Sequence, residues 1–309
     1  MASGCRIRKY PAAACRFTKE ESTVKLTYLG TSASEGWPAF FCNCPICREA
    51  ARRGGKDWRL RSCAMVDEDI LLDLSPDLYA ARQRLNTDLS RVRHILFTHW
   101  HADHFDVPSL HWYAPHFVRE AGERPPVKVY GSRLIGEMLG DTDILWRRPF
   151  IKGWIDFVEL EPFKPVTIDE RTRITAVPAY HGTTEGAYVY RVERGGKSLL
   201  YLHDTGTLDD ETIAYLAQHP ADLVTMDATS GPANANPESG HMCFANDLAL
   251  RDRLMKAGVV DGHTRMVCNH LCIHACRTAE GKMYFYEDLE KMMAPAGFTV
   301  SYDGLSIEI

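Results

Sequence analysis

Short apolar runs with strand character recur along nearly the whole chain. They are Val24–Gly30 (VKLTYLG), Cys63–Val66 (CAMV), Ile70–Leu74 (ILLDL), His94–Phe97 (HILF), Val127–Gly131 (VKVYG), Phe157–Leu160 (FVEL), Thr172–Tyr180 (TRITAVPAY), Ala187–Val192 (AYVYRV), Ser198–Asp204 (SLLYLHD), Asp222–Asp227 (DLVTMD) and Arg265–Asn269 (RMVCN). Between several of them, apolar residues fall at three- and four-residue spacing instead. This predicts helices over Ser132–Gly140, Leu208–His219, Phe244–Gly258 and Tyr286–Gly297, with glycine at or near the end of three of the four. Hairpin turns are predicted at Asp67–Asp69 (DED), at Glu193–Lys197 (ERGGK) and at the Asp303–Gly304 pair in FTVSYDGLSIEI. Early hairpins followed by mixed strands and helices predict an α/β fold of two mixed sheets with helices outside them.

No repeat, low-complexity segment or Pro/Ser-rich linker divides the chain, so the expectation is a loose tail over residues 1–22 and one domain over 23–309. No run of about 18 apolar residues is present and the N-terminal stretch lacks a continuous apolar core; neither a membrane span nor a secretory signal is expected, and the default location is the cytoplasm. A net charge of −5 argues against a protein whose main task is gripping a nucleic-acid backbone. The one basic run, Cys47–Arg61 (CREAARRGGKDWRLR), reads as a solvated helix face.

The chemistry is concentrated at Phe97–His104, FTHWHADH, directly after a buried strand. His99, His101, Asp103 and His104 offer four nitrogen and oxygen donors within six residues, a spacing that suits zinc, manganese or iron and can serve two ions at once. The neighbouring Trp100, Phe105, His111, Trp112 and Tyr113 could line a pocket, but core packing is the expected fate of most of them. Ten cysteines without a signal read as thiols or metal ligands rather than a disulfide framework. Three of them, Cys42, Cys44 and Cys47, form CxCxxC, which fills three corners of a tetrahedral structural zinc site. Cys5, Cys15, Cys63 and Cys243 have no partner at useful spacing.

The segment THWHADH resembles the signature of metallo-β-lactamase fold hydrolases, which implies a four-layer αββα sandwich and further ligands at later strand ends. His181 after VPAY, Asp204 in LLYLHD and His270 in MVCNH stand in that order and context. The resemblance implies that His99, His101 and His181 hold one divalent metal (zinc or manganese), that Asp103, His104 and His270 hold a second, and that Asp204 bridges them. Such a pair, about 4 Å apart, turns a shared water into hydroxide near neutral pH. Asp73 falls where the family carries an aspartate that orients a ligand histidine; as a residue it serves equally well as a helix N-cap before SPDLYAARQRL. His203 should point away from the site by strand alternation.

With LGT, the CxCxxC insert and the intact HxHxDH together, the chain resembles the phosphoribosyl cyclic phosphodiesterases of the PhnP type from about Val24 onward. That group places a histidine ligand for the cysteine zinc three residues after the last catalytic histidine, where this chain has Ile273. His274 is the expected substitute, with Cys272 and Cys276 as alternatives. His241, in SGHMCFANDL, matches a loop histidine that protonates the leaving oxygen in phosphodiesterases of this fold.

The implied function is a dinuclear metal phosphodiesterase for a small cyclic phosphate or simple phosphodiester, with metal-bound hydroxide as nucleophile and His241 as general acid. Its partner is then a small molecule, with no nucleic acid or membrane expected and room left for a homodimer. The competing readings are a PqqB-like cofactor biosynthesis protein, tRNase Z-like RNA processing and thioesterase activity.

Overall fold

The computed structural model describes residues 23–114, 117–118, 125–146 and 153–309; the expected N-terminal tail, with Cys5 and Cys15, lies outside the described residues. One seven-stranded sheet contains β1 (Lys25–Gly30), β2 (Cys63–Val66), β3 (Ile70–Leu72), β4 (His94–Leu96), β5 (Val127–Gly131), β6 (Ile155–Glu159) and the last strand, β14 (Ser306–Glu308), in the order β14-β1-β2-β3-β4-β5-β6. The other contains β7 (Val166–Asp169), β8 (Thr172–Pro178), β9 (Tyr188–Arg194), β10 (Lys197–Leu202), β11 (Leu223–Asp227), β12 (Arg265–Asn269) and β13 (Phe298–Val300), in the order β13-β12-β11-β10-β9-β8-β7. The helices are α1 (Pro45–Arg53), α2 (Leu78–Leu85), α3 (Val107–Leu110), α4 (Arg133–Trp146), α5 (Asp210–Leu216), α6 (Phe244–Ala257) and α7 (Tyr286–Met293).

Strand alternation explains the layering. Successive side chains point to opposite faces, and the central strands are apolar on both. In β10, Leu199 and Tyr201 enter the core between the sheets while Leu200 and Leu202 face α5 to α7. In β3 and β4, Ile70, Leu72 and Leu96 join the same central core, whereas Leu71 and Ile95 pack outward with Ala81 of α2 and Ile135 of α4. Three apolar cores separate four layers, as the sequence reading expected.

Two of the predicted hairpins form: β2 pairs antiparallel with β3, and β9 with β10. The third does not. β13 runs parallel to β12 in one sheet, while β14 lies antiparallel to β1 in the other, so the Asp303–Gly304 turn carries the chain across. A fixed anchor opposes a local hairpin there, because the buried Asp303 carboxylate accepts from Thr31 Oγ1 (2.8 Å) and from the backbone N–H of Leu60 (2.8 Å). The short edge strand β7 was not predicted from the sequence. The basic run is also only partly a solvated face: Arg48, Arg52 and Arg53 stay on the outer side of α1, but Arg59 is 2% exposed and donates to the carbonyl of Ser301 at 2.7 Å. Of the aromatics around the histidine motif, Phe105 is in the core, while Trp100 and Trp112 are exposed. Among the described residues no helix is long and apolar enough to cross a membrane.

β3 to β6 run parallel, as do β10 to β13, with β8 running the same way as β10. The carboxyl ends of these strands therefore meet along one rim, the place where open α/β sheets present their functional loops.

Candidate metal centre

Each polar residue at this rim follows an apolar strand that fixes its origin. Asp73 leaves β3, His99 to His104 leave β4, His181 follows β8, Asp204 follows β10, Asp227 ends β11, and His270 follows β12. Three of these turn with positive φ at non-glycine residues: Asp73 (66°), Asp204 (51°) and His270 (63°). A left-handed backbone at such residues is uncommon and is held by the surrounding packing; here Asp204 and His270 line one cleft of about 390 Å³, while Asp73 is buried behind it against His104 and Thr98.

All seven donors expected from the sequence converge. The ligand atoms of His99, His101 and His181 lie within 4.8 Å of one another. Asp204 divides its oxygens between two sets: Oδ1 lies 3.9 Å from His181 Nε2, while Oδ2 lies 2.9 Å from His104 Nε2 and 3.1 Å from His270 Nε2. Asp103 Oδ2 completes the second set, 3.1 Å from His104 Nε2 and 3.8 Å from His270 Nε2. His203 stands outside; its Nε2 is 2.8 Å from Thr225 Oγ1.

The outer nitrogens of the rings are spoken for, which fixes tautomer and orientation. His104 Nδ1 donates to Asp73 Oδ2 at 2.8 Å, and His99 Nδ1 donates to Thr98 Oγ1, which passes its own proton to Asp73. Across the cleft, His270 Nδ1 donates to Thr229 Oγ1 (2.8 Å), which donates to Asp227, and His181 Nδ1 donates to the Gly240 carbonyl (3.1 Å). Gly240 has φ +96°, and a Cβ there would meet the Gly182 backbone nitrogen at 2.5 Å, so the loops carrying His181 and His241 can close only on glycine. Asp73 thus plays the orienting part; the cap position of α2 belongs to Asp77.

The inner atoms are the ones left over. His99 Nε2, His104 Nε2, His270 Nε2 and Asp204 Oδ2 are buried without a hydrogen-bond partner. Orphaned polar atoms of this kind are costly, and four of them gathered in the two donor sets fit cations that would satisfy them. The charges agree. Burial works against a proton on His104, yet Asp103, Asp204 and Asp73 outweigh it and pull its pKa well above the ordinary histidine value. Burial likewise would raise the Asp204 carboxyl, but the His270 and His104 charges hold it well below. The carboxylates demand positive charge here, and a divalent ion would supply it in place of protons. Replacing Asp73 by asparagine is expected to weaken ion binding by about 10- to 100-fold, as loss of such an orienting carboxylate does; competition with a chelating dye measures it.

His241 also reaches the cleft. Its Nδ1 lies 3.0 Å from Asp227 Oδ2 and 3.8 Å from Asp204 Oδ1. Burial lowers its pKa, but the hydrogen bond and charge of Asp227, followed by Asp204 and Asp103, prevail and push it up to about 9. Asp227 and Thr229 were missed in the sequence. Their signal was an aspartate ending an apolar strand, the same form as Asp73 and Asp204.

The cysteines assemble nearby. The donor atoms of Cys42, Cys44, Cys47 and His274 lie within 4.8 Å of one another, with Cys47 Sγ 3.5 Å from His274 Nε2. Of the alternatives, Cys272 faces Glu35 at 2.6 Å, and Cys276 is buried beside Gly231.

Structures of several known proteins share this architecture. A diphosphatase of the PhnP family aligns over 93% of this chain and 98% of its own with a TM-score of 0.69 and 22% identity. Zn2+-bound PqqB from Methylobacterium extorquens aligns over 92% and 100% (TM-score 0.66, 18% identity), and the short form of human tRNase Z over 92% and 98% (TM-score 0.62, 17% identity). At these identities the likeness is one of fold. No curated protein matches the sequence. The family model described as a beta-lactamase superfamily domain matches residues 68–264, a span that holds His99 to His241. With that match over more than half its length, the chain belongs to the metallo-β-lactamase superfamily of hydrolases.

Proposed function

We propose that this hydrolase is a dinuclear metal phosphodiesterase acting on a small cyclic phosphate or simple phosphodiester. The observation that carries the reading is Asp204 with one oxygen toward each donor set, its buried Oδ2 grouped with the buried Nε2 atoms of His99, His104 and His270, none of which has a hydrogen-bond partner. His99, His101 and His181 would hold one ion, Asp103, His104 and His270 the other, with Asp204 between. When bound, the two cations, zinc or manganese by donor type, supply Lewis acidity toward phosphate oxygens and activate a water.

The chain's own contribution to bond cleavage is His241. Asp227 holds Nδ1 and stabilises the protonated ring, which leaves Nε2 as the nitrogen free to give a proton to the leaving oxygen. Among the described residues lining the cleft, none is lysine or arginine. A nucleic-acid backbone is ordinarily held by many such cations, so this lining favours a small substrate over RNA. Cys42, Cys44, Cys47 and His274 would hold a structural zinc, since soft sulfur donors in a closed set suit an ion that fixes a loop.

Protein loaded with manganese or zinc, offered bis(p-nitrophenyl) phosphate, sugar cyclic phosphates, cyclic nucleotides and thioesters, tests the reading. Hydrolysis of phosphodiesters with about three ions per chain is the expected result. Turnover of thioesters alone, or a full ion count with no hydrolysis, would favour the thioesterase or the PqqB-like alternative.

A further inference from the structure

The cysteine cluster and the cleft share a wall. Glu35 and Cys272 line the cleft alongside Asp103 and His270. Behind them stands His274, whose two ring nitrogens face opposite ways: Nε2 is 3.5 Å from Cys47 Sγ, and Nδ1 is 3.9 Å from Glu35 Oε1. Cys272 Sγ touches the same Glu35 oxygen at 2.6 Å. One ligand atom each from Glu35, Cys272 and His274 falls within 4.8 Å of the others, and all three side chains are partly exposed.

A thiol, an imidazole and a carboxylate together form a donor set for a borderline-soft divalent cation. Three protein donors with an open side leave one coordination position to solvent, the form of an exchangeable site; the closed set of Cys42, Cys44, Cys47 and His274 Nε2 is the form of a retained one. The shared imidazole sets the order of affinity. An ion on Nδ1 while another sits on Nε2 requires the ring to lose its N–H proton, and like charges a few ångströms apart repel. The outer site must therefore be the weaker one.

We propose that Glu35, Cys272 and His274 Nδ1 bind a further, exchangeable thiophilic cation of the zinc or cadmium kind at the wall of the cleft, and that filling this site inhibits turnover. Binding releases the Cys272 thiol proton now donated to Glu35, and the remaining His274 ring proton. Inhibition follows from place, because the ion occupies the wall that adjoins Asp103 and His270. The ion count is read without substrate, so this site stands or falls separately from the phosphodiesterase reading.

Protein holding its tightly bound ions is dialysed against a mild chelator and titrated with cadmium, following the ultraviolet thiolate band and the ion count by native mass spectrometry. The native sequence should take up one further, reversible ion per chain as the band grows. Cys272→Ser and Glu35→Gln should keep the tightly held ions and bind the further one at least about tenfold more weakly. In a zinc titration of turnover, Cys272→Ser should need about tenfold more zinc for half inhibition. Equal uptake by the native protein and both variants would overturn the proposal. So would loss of a tightly held ion in Cys272→Ser, which would place Cys272 in the cysteine clip. If the serine variant does not fold, as circular dichroism would show, Glu35→Gln decides the matter by the same two readouts.

Discussion

Replacing Asp204 by asparagine is expected to lower phosphodiester turnover on the order of 10³-fold, the scale of losing several kcal/mol of metal-derived stabilisation. The substitution keeps the shape and one oxygen but removes the charge from a residue that faces both donor sets, with Oδ1 toward His181 and Oδ2 toward His104 and His270. An amide offers a single weak acceptor, so the two proposed ions would lose their common ligand. Thermal unfolding with and without manganese gives an independent reading. A ligand that binds only the folded state raises its stability by mass action, and that increment should shrink in the variant. Turnover within about threefold of the native protein would remove Asp204 from the proposed role, since a bridging carboxylate in a two-metal site contributes far more.

His241→Ala is the second large effect, and its size depends on the substrate. General acids contribute about 10²- to 10⁴-fold when the leaving oxygen is a poor leaving group. A substrate with an alkoxide leaving group should slow by that amount in the variant, whereas a nitrophenyl ester, whose leaving group needs little protonation, should slow by less than about tenfold. The pH profile carries the same information. In the proposed general-acid role the protonated imidazole is the active form, and Asp227 favours it, so native turnover of alkyl substrates should fall as pH rises past the point where His241 loses its proton. The alanine variant should lack that alkaline limb. Equal losses on both substrate types would assign His241 a positioning role.

The sequence carried much of this site because the site is built on strand ends. Short apolar runs marked the central strands, and donor residues placed just after them could be read without knowing the topology. His181, Asp204 and His270 are far apart in the chain, but each follows an apolar run and projects over the same rim. What escaped was set by contacts no local pattern encodes. The turn at Asp303–Gly304 looks like a hairpin, and its crossing between sheets depends on a carboxylate held by Thr31 and Leu60. Arg59 sits in an ordinary basic run, and its burial depends on the Ser301 carbonyl. Asp227 and Thr229 lie before the motif histidine His241 by 14 and 12 residues, and only the folded loop brings them under its ring. The choice among His274, Cys272 and Cys276 was likewise open in sequence, because it turns on which way a short loop directs each side chain.

In the proposed centre, Asp204 and six further side chains gather two cations at the rim. Crystals grown with manganese, with diffraction recorded at and below its absorption edge, test it directly. Two anomalous peaks in the cleft are expected, one among His99, His101 and His181 and the other among Asp103, His104 and His270, with Asp204 in contact with both. A single peak, or peaks that leave Asp204 uncoordinated, would contradict it.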